Sequence, residues 1–147
     1  MNFIDKALTN KENMSNDDFL QAMADIYKEP EVNKSLAKYP QYIQDVIYII
    51  EYDTELQMEG LSGVLEGSLF EKYDEIYCAL MNCGALEEVR ILEQAKQLDL
   101  DKDDTYDQLE KLQKQTALYN DYDSFWNLVR DYIGRNKENQ QMDKLGR

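Results

Sequence analysis

The sequence predicts an all-α protein, a single-domain bundle of six or seven short helices, and three observations carry that prediction. Apolar residues recur at i, i+3, i+4 and i+7 spacing along most of the chain, the mark of helices with one buried face. Six Gly and two Pro in 147 residues are too few for a fold rich in tight turns. They fall mainly between the periodic segments, where they act as punctuation. The length suits one domain, able to bury about two-thirds of its unfolded surface. Composition is globular, with 43% hydrophobic residues, eleven Tyr, four Phe and one Trp.

Residues 1–16 read as an N-terminal arm, 17–134 as the helical domain and 135–147 as a polar tail without apolar period, expected to fray. Asn16 or Asp17 can cap a first helix bearing Phe19, Leu20, Met23, Ile26 and Tyr27. Pro30 ends it. Pro40 suits the first turn of a second helix, because its missing N–H costs nothing there. That helix carries Ile43, Val46, Ile47 and Ile50 and is expected to reach about Met58. Gly60, Gly63 and Gly67 then predict a break and a short helix with Leu61, Val64 and Leu65. Phe70, Tyr73, Ile76, Tyr77 and Leu80 share one face of the next helix, which stops at Gly84. Glu87 and Glu88 sit in the first turn of its successor, where the helix dipole favours them, and Leu86, Val89, Leu92 and Ala95 form its buried side. An acidic linker over 99–105 leads to a helix with Tyr106, Leu109 and Leu112. The last helix shows Phe125, Leu128, Val129, Tyr132 and Ile133 and is expected to close at Gly134.

The composition narrows function by exclusion. Histidine is absent, which removes Ser-His and Cys-His nucleophile pairs, His-ligated zinc and imidazole acid–base chemistry. No nucleophile motif is present, and the expectation is a protein that is not an enzyme. No stretch approaches the roughly 18 apolar residues of a membrane span. The first residues lack an apolar core behind a basic start, so no signal peptide is expected and a cytoplasmic location is the default. Cys78 and Cys83 then read as free thiols in an apolar stretch, without the spacing of a redox pair or a zinc site. Arg90, Arg130, Arg135, Lys137 and Arg147 are too scattered for a nucleic-acid footprint, so direct nucleic-acid binding is not expected.

Charge is the strongest signal. The chain carries a net charge of −14, and residues 45–93 hold twelve Asp/Glu against two basic side chains, Lys72 and Arg90. Such a surface repels nucleic acid and anionic membrane and attracts basic faces. On a continuous helix, Glu51, Glu55 and Glu59 are spaced i, i+4, i+8, and like charges so placed cost a few tenths of a kcal/mol per pair. One reading is a row of carboxylates resembling the phosphates of a DNA strand. The other is a solvated face that keeps the protein soluble. Under the first reading the partner-binding residues are Glu51, Asp53, Glu55, Glu59 and Glu66, with Asp74 and Glu75 as outer members. Tyr48 and Tyr52 lie near them, either as contact residues or as core.

Residues 99–110 (DLDKDDTYDQLE) fit a calcium EF-hand loop in part. Asp99, Asp101, Asp103, Asp107 and Glu110 fall on the ligand positions and Tyr106 on the inward apolar one. The sixth position holds Asp104 where the sharp turn favours Gly, and no second loop is present to pair with. The other reading is an acidic linker in which Asp103 or Asp104 caps the next helix. Calcium is the one cofactor this sequence suggests.

The segment order from about residue 46 to 133 resembles a bacterial all-α family once catalogued only as a domain of unknown function, whose characterised type is an acidic DNA mimic. Residues 52–60 (YDTELQMEG) running into 61–65 (LSGVL) are similar to its acidic helix end, Gly-containing turn and short apolar helix. Residues 79–89 (ALMNCGALEEV) are similar to its small-residue turn, and 121–133 (DYDSFWNLVRDYI) to its closing helix. The family favours Asn-Gly-Gly and an aromatic residue at the first turn, where this chain has Met58, Glu59, Gly60 and Leu61. The resemblance implies a helical, dimeric domain whose acidic face occupies the DNA-binding surface of a regulator. The charge already points to a basic protein as partner, and the resemblance makes a transcription regulator its concrete form; a second reading from the charge alone is an immunity or antitoxin protein that neutralises a basic nuclease.

Overall fold

The computed structural model describes the backbone of residues 1–145 and the side chains of residues 1–138. It is an all-α bundle with no strand among the described residues. Its helices are α1 (Phe3–Asn10), α2 (Asn16–Met23), α3 (Gln41–Glu66), α4 (Tyr73–Cys83), α5 (Leu86–Lys96), α6 (Thr105–Gln113), α7 (Ala117–Asn120) and α8 (Tyr122–Leu145). Four 3-10 segments join them: Lys11–Asn13, Ala24–Tyr27, Pro30–Lys38 and Ser68–Lys72.

α3 is the central pillar. Tyr42, Ile43, Val46, Ile47, Ile49, Ile50 and Tyr52 are all buried, so the helix is apolar around most of its girth and must be surrounded. α2, α4, α6 and α8 pack on it. Pro40 stands at its N-cap, just ahead of the first turn where it was expected, its carbonyl accepting from the N–H groups of Ile43 and Gln44. α4 ends at Gly84, whose left-handed φ of 86° lets Ala85 N–H reach back to the Leu80 carbonyl at 2.9 Å.

Residues 3–10, expected as part of an N-terminal arm, form α1 and pack one face on the core. Asn2 and Asp5 form a reciprocal capping box on α1, and Phe3, Ile4 and Ala7 are buried with the rest of the apolar cluster. Tyr39 hydroxyl donates to Asp5 at 3.0 Å and accepts from Asn2 at 2.7 Å, tying α1 to the segment before α3. Ser15, one residue ahead of the expected caps, accepts from Asp18 N–H and starts α2. α2 stops at Met23, and Pro30 opens a 3-10 segment instead of closing the helix.

Two helix phases differ from the sequence reading. Leu128 is 39% exposed while Trp126 is 8% exposed, so α8 turns toward Trp126 and sets Leu128 on its rim. Leu86 is 62% exposed because α5 turns Glu88 inward with Val89, Leu92 and Ala95. Tyr27, Phe70 and Tyr106, each placed on an apolar face, are also exposed. α8 does not close at Gly134. A Cβ there would meet Asn16 Nδ2 at 2.6 Å, so the glycine permits close contact with α2. Beyond it Lys137 Nζ donates to Met14 O at 3.1 Å. The tail thus continues the helix to Leu145, and the last two residues, including Arg147, lie outside the described residues.

Two buried carboxylates clamp the bundle. Asp45 on α3 accepts from Gln41, Asn82 on α4 and Tyr132 on α8. Glu88 on α5 accepts from Tyr52 hydroxyl at 2.9 Å and from Ala117 N–H at 2.6 Å and Leu118 N–H at 3.3 Å, so it joins α3, α5 and α7.

The predicted break falls at Gly60, where φ is +75° and ψ is −172°, a region almost reserved for glycine. The bend orphans backbone groups, and the Gln113 side chain from α6 meets them. Its Oε1 accepts from Leu61 N–H at 3.3 Å and its Nε2 donates to the Leu56 carbonyl at 3.4 Å. A Cβ at Gly60 would sit 2.6 Å from that Oε1. Gly60→Ala is therefore expected to cost about 3 kcal/mol from backbone strain and displacement of Gln113. Urea unfolding measures it, and an unchanged midpoint would mean the bend is not held at this residue.

Candidate partner-binding face

The acidic residues of the central third are not one uniform coat. Asp45 and Glu88 are buried. Glu51 pairs with Lys72 at 3.1 Å, and its side chain is only 16% exposed. Lys72, from the segment after α3, thus compensates the first member of the Glu51–Glu55–Glu59 row. Glu87 pairs with Arg90 at 2.9 Å within α5. Asp53, Glu55, Glu59, Glu66, Glu71, Asp74, Glu75 and Glu93 have no ion-pair partner among the described residues.

α3 brings part of the predicted set together. Tyr27 sits against its middle, the hydroxyl donating to the Ile50 carbonyl at 3.4 Å. Burial raises the Tyr27 pKa, a bond with Thr54 opposes this, and the charges of Glu51, Asp53 and Glu55 raise it further. Those three carboxylates therefore lie near enough to one exposed ring to act on its hydroxyl. Glu75 on α4 acts with Glu51 on Tyr48, whose pKa is raised first by burial and then by these charges. Tyr48 is half-buried and Tyr52 fully buried, so Tyr52 belongs to the core.

Glu55 and Glu59 lie over the turn beyond the bend. An added Cβ at Gly63 would meet Glu59 Cβ at 2.4 Å and Glu55 Oε1 at 2.6 Å, so the missing side chain makes room for both. Glu66 lies past the bend near the end of α3. Asp74 lines a separate cleft with Tyr73, Tyr77, Glu93 and Lys96.

The sequence reading missed what fixes these carboxylates. Tyr122 hydroxyl donates to Asp53 at 3.0 Å, Tyr106 hydroxyl to Glu66 at 2.9 Å, and Tyr77 hydroxyl to Glu93. A phenol orients a carboxylate without cancelling its charge, which a lysine partner would do. The bonds to Glu93 and Glu66 are the main reason the Tyr77 and Tyr106 pKa values lie above 10.0. For Tyr122 burial comes first and Asp53 second. The available signal was the ratio of eleven Tyr to four Phe in so acidic a chain.

Three carboxylates of the acidic segment after α5 make local contacts. Asp99 accepts from Asp101 N–H at 3.0 Å, Asp104 from Gln108 at 2.8 Å, and Glu110 pairs with Lys114 at 3.5 Å. Asp104 occupies the N-cap position of α6 without a side-chain cap bond. Thr105 is buried, and Tyr106 points to Glu66 and not into the loop. Among the described residues no group of three or more Cys, Asp or Glu is placed to hold a metal ion. No helix among them is long and apolar enough to cross a membrane. Cys78 is exposed and Cys83 buried, both free, and burial pushes the Cys83 thiol up to about 11.

A family model described as DMP19-like protein matches residues 37–145, from just before α3 to the end of α8. No curated protein and no solved structure gives a significant match to the chain.

Proposed function

Because the chain belongs to the DMP19-like family, we propose that it is a non-enzymatic DNA mimic that binds a basic, DNA-binding protein through the face built on α3. The unpaired carboxylates Asp53, Glu55, Glu59 and Glu66 carry this reading. Glu55 and Glu59 lie one turn apart on α3 ahead of the Gly60 bend and Glu66 follows it beside the exposed ring of Tyr106, while Asp53 lies on the other side of the helix between the exposed rings of Tyr27 and Tyr122.

Magnitudes favour a surface over a single row. Carboxylates four residues apart on a helix repeat about every 6 Å, whereas each strand of duplex DNA carries one charge per roughly 3.4 Å of axis. One row has about half the linear density of a strand. Glu75 on α4, which acts with Glu51 on Tyr48, adds a charge beside the row. Tyrosine hydroxyls hold Asp53 and Glu66 in place, so less orientational freedom is lost on binding. The partner's Lys and Arg side chains would meet these carboxylates in place of phosphates, and DNA would be excluded by competition.

Affinity capture on the immobilised protein from a bacterial extract tests this. Basic DNA-binding proteins are expected at low salt and are expected to elute as salt rises, because exposed charge pairs are screened within about 10 Å at 0.1 M. Capture of proteins without basic character, or retention indifferent to salt, would refute it.

A further inference from the structure

Between the end of α2, the middle of α3 and the start of α8 lies a cavity of about 270 Å³. Leu20, Ile50 and Trp126 give it apolar lining, with Asp53, Tyr27 and Tyr122 around it. The volume falls below the roughly 300–1,000 Å³ typical of small-molecule sites, and one long side chain suits it. Asp53 accepts from Tyr122 at 3.0 Å and from Gln57 at 3.4 Å, both neutral donors. No cation pairs with it among the described residues. Burial raises its pKa, and the Tyr122 and Gln57 bonds oppose that rise without cancelling it, so the ionised carboxylate is under-compensated and a cation placed on it would offset the cost of its burial. Arg130 also lines the cavity, but its Nε donates to Asp17 at 2.8 Å and its Nη1 to Asn127 at 3.0 Å, so its charge is compensated on the spot.

We propose that this cavity receives an arginine side chain of the partner, its guanidinium on Asp53 and its methylene stem against Leu20, Ile50 and Trp126. The inference rests on the reading of the partner as a basic protein. Arginine fits better than lysine for two reasons. Its planar fork engages both oxygens of a carboxylate, and its weakly hydrated plane stacks on aromatic rings such as Tyr27 and Tyr122. Asp53 is then an anchor in a half-buried pocket, less sensitive to salt than the exposed carboxylates around it.

Trp126 is the single tryptophan of the chain and lines the cavity, so the tryptophan fluorescence comes from this one position. The intact protein is titrated with N-acetyl-arginine amide and with the citrulline analogue, in which a neutral urea replaces the guanidinium. A saturable change with the arginine probe is expected, with affinity for the citrulline probe at least about tenfold lower. The response is expected to vanish in Asp53→Asn and in Ala24→Leu, which fills the rim. No saturable change, an equal response to citrulline, or an unchanged response in Asp53→Asn would overturn the assignment. No partner protein is present in this titration. Its failure is therefore distinct from a failure to capture basic proteins.

Discussion

Glu88→Ala is expected to destabilise the fold by on the order of 4 kcal/mol, a large fraction of the stability of a domain this size. The carboxylate is fully buried and accepts from Tyr52 hydroxyl and from the N–H groups of Ala117 and Leu118. Truncation strands all three donors, at about 1–3 kcal/mol each, less what is regained by no longer burying a charge. Next to it, Glu87 is exposed and paired only within its own helix, so Glu87→Ala is expected to cost less than about 0.5 kcal/mol. Urea unfolding of both variants separates a clamp from a helix-surface charge, and equal losses would contradict the clamp.

The same carboxylate predicts a pH dependence. Burial raises the Glu88 pKa above the ordinary 4.5, and the bonds from Tyr52, Leu118 and Ala117 oppose that rise without cancelling it. A raised folded-state value means that the folded protein holds the proton more tightly than the unfolded chain. The contribution to stability is then full below about 4.5 and lost as pH rises through the folded value. Glu88→Gln keeps an acceptor for the two N–H groups and has no proton to lose. Its stability relative to the natural protein is expected to improve as pH rises from 4.5 toward neutrality. Thermal unfolding across that range shows it, and a constant difference would place Glu88 outside the titrating set.

The second large effect concerns binding. Glu55→Lys, Glu59→Lys and Glu66→Lys together are expected to weaken partner affinity on the order of a hundredfold, about 1 kcal/mol for each reversed charge. The helical circular-dichroism signal is expected to stay, because these side chains lie at the surface and none contributes to the buried clamps. Glu51 is left out of the set because reversing it would break its pair with Lys72 and confuse binding with stability.

The contrast between these residues shows how far the sequence could be read. The α3 stripe from Ile43 to Ile50, the break at Gly60 and the stop at Gly84 were legible because local periodicity and glycine chemistry determine them. Leu128 and Leu86 were misplaced because a helix carries apolar residues on both sides of its buried centre. Only the partner helices decide which way it turns. α8 turned toward the Trp126 cavity, and α5 turned to bring Glu88 to the N–H groups of α7. The acidic row was legible as a spacing. Its neutralised end was not, because Lys72 is twenty-one residues from Glu51 in the chain. The tyrosine hydroxyls on Asp53 and Glu66 reach across 69 and 40 residues, separations no local pattern reports. Composition registered the carboxylates of Asp45 and Glu88 as surface charge, although both are buried in the core.

DNA mimicry requires the α3 face to take the place of DNA. The direct measurement is displacement: a captured basic protein is held on the immobilised chain at constant ionic strength, and a short DNA duplex is added in increasing amount. The duplex is expected to release the captured protein in proportion to its own affinity for it, and the Glu55→Lys, Glu59→Lys, Glu66→Lys variant is expected to retain none to release. A captured protein that binds the duplex and the immobilised chain at the same time would contradict the account.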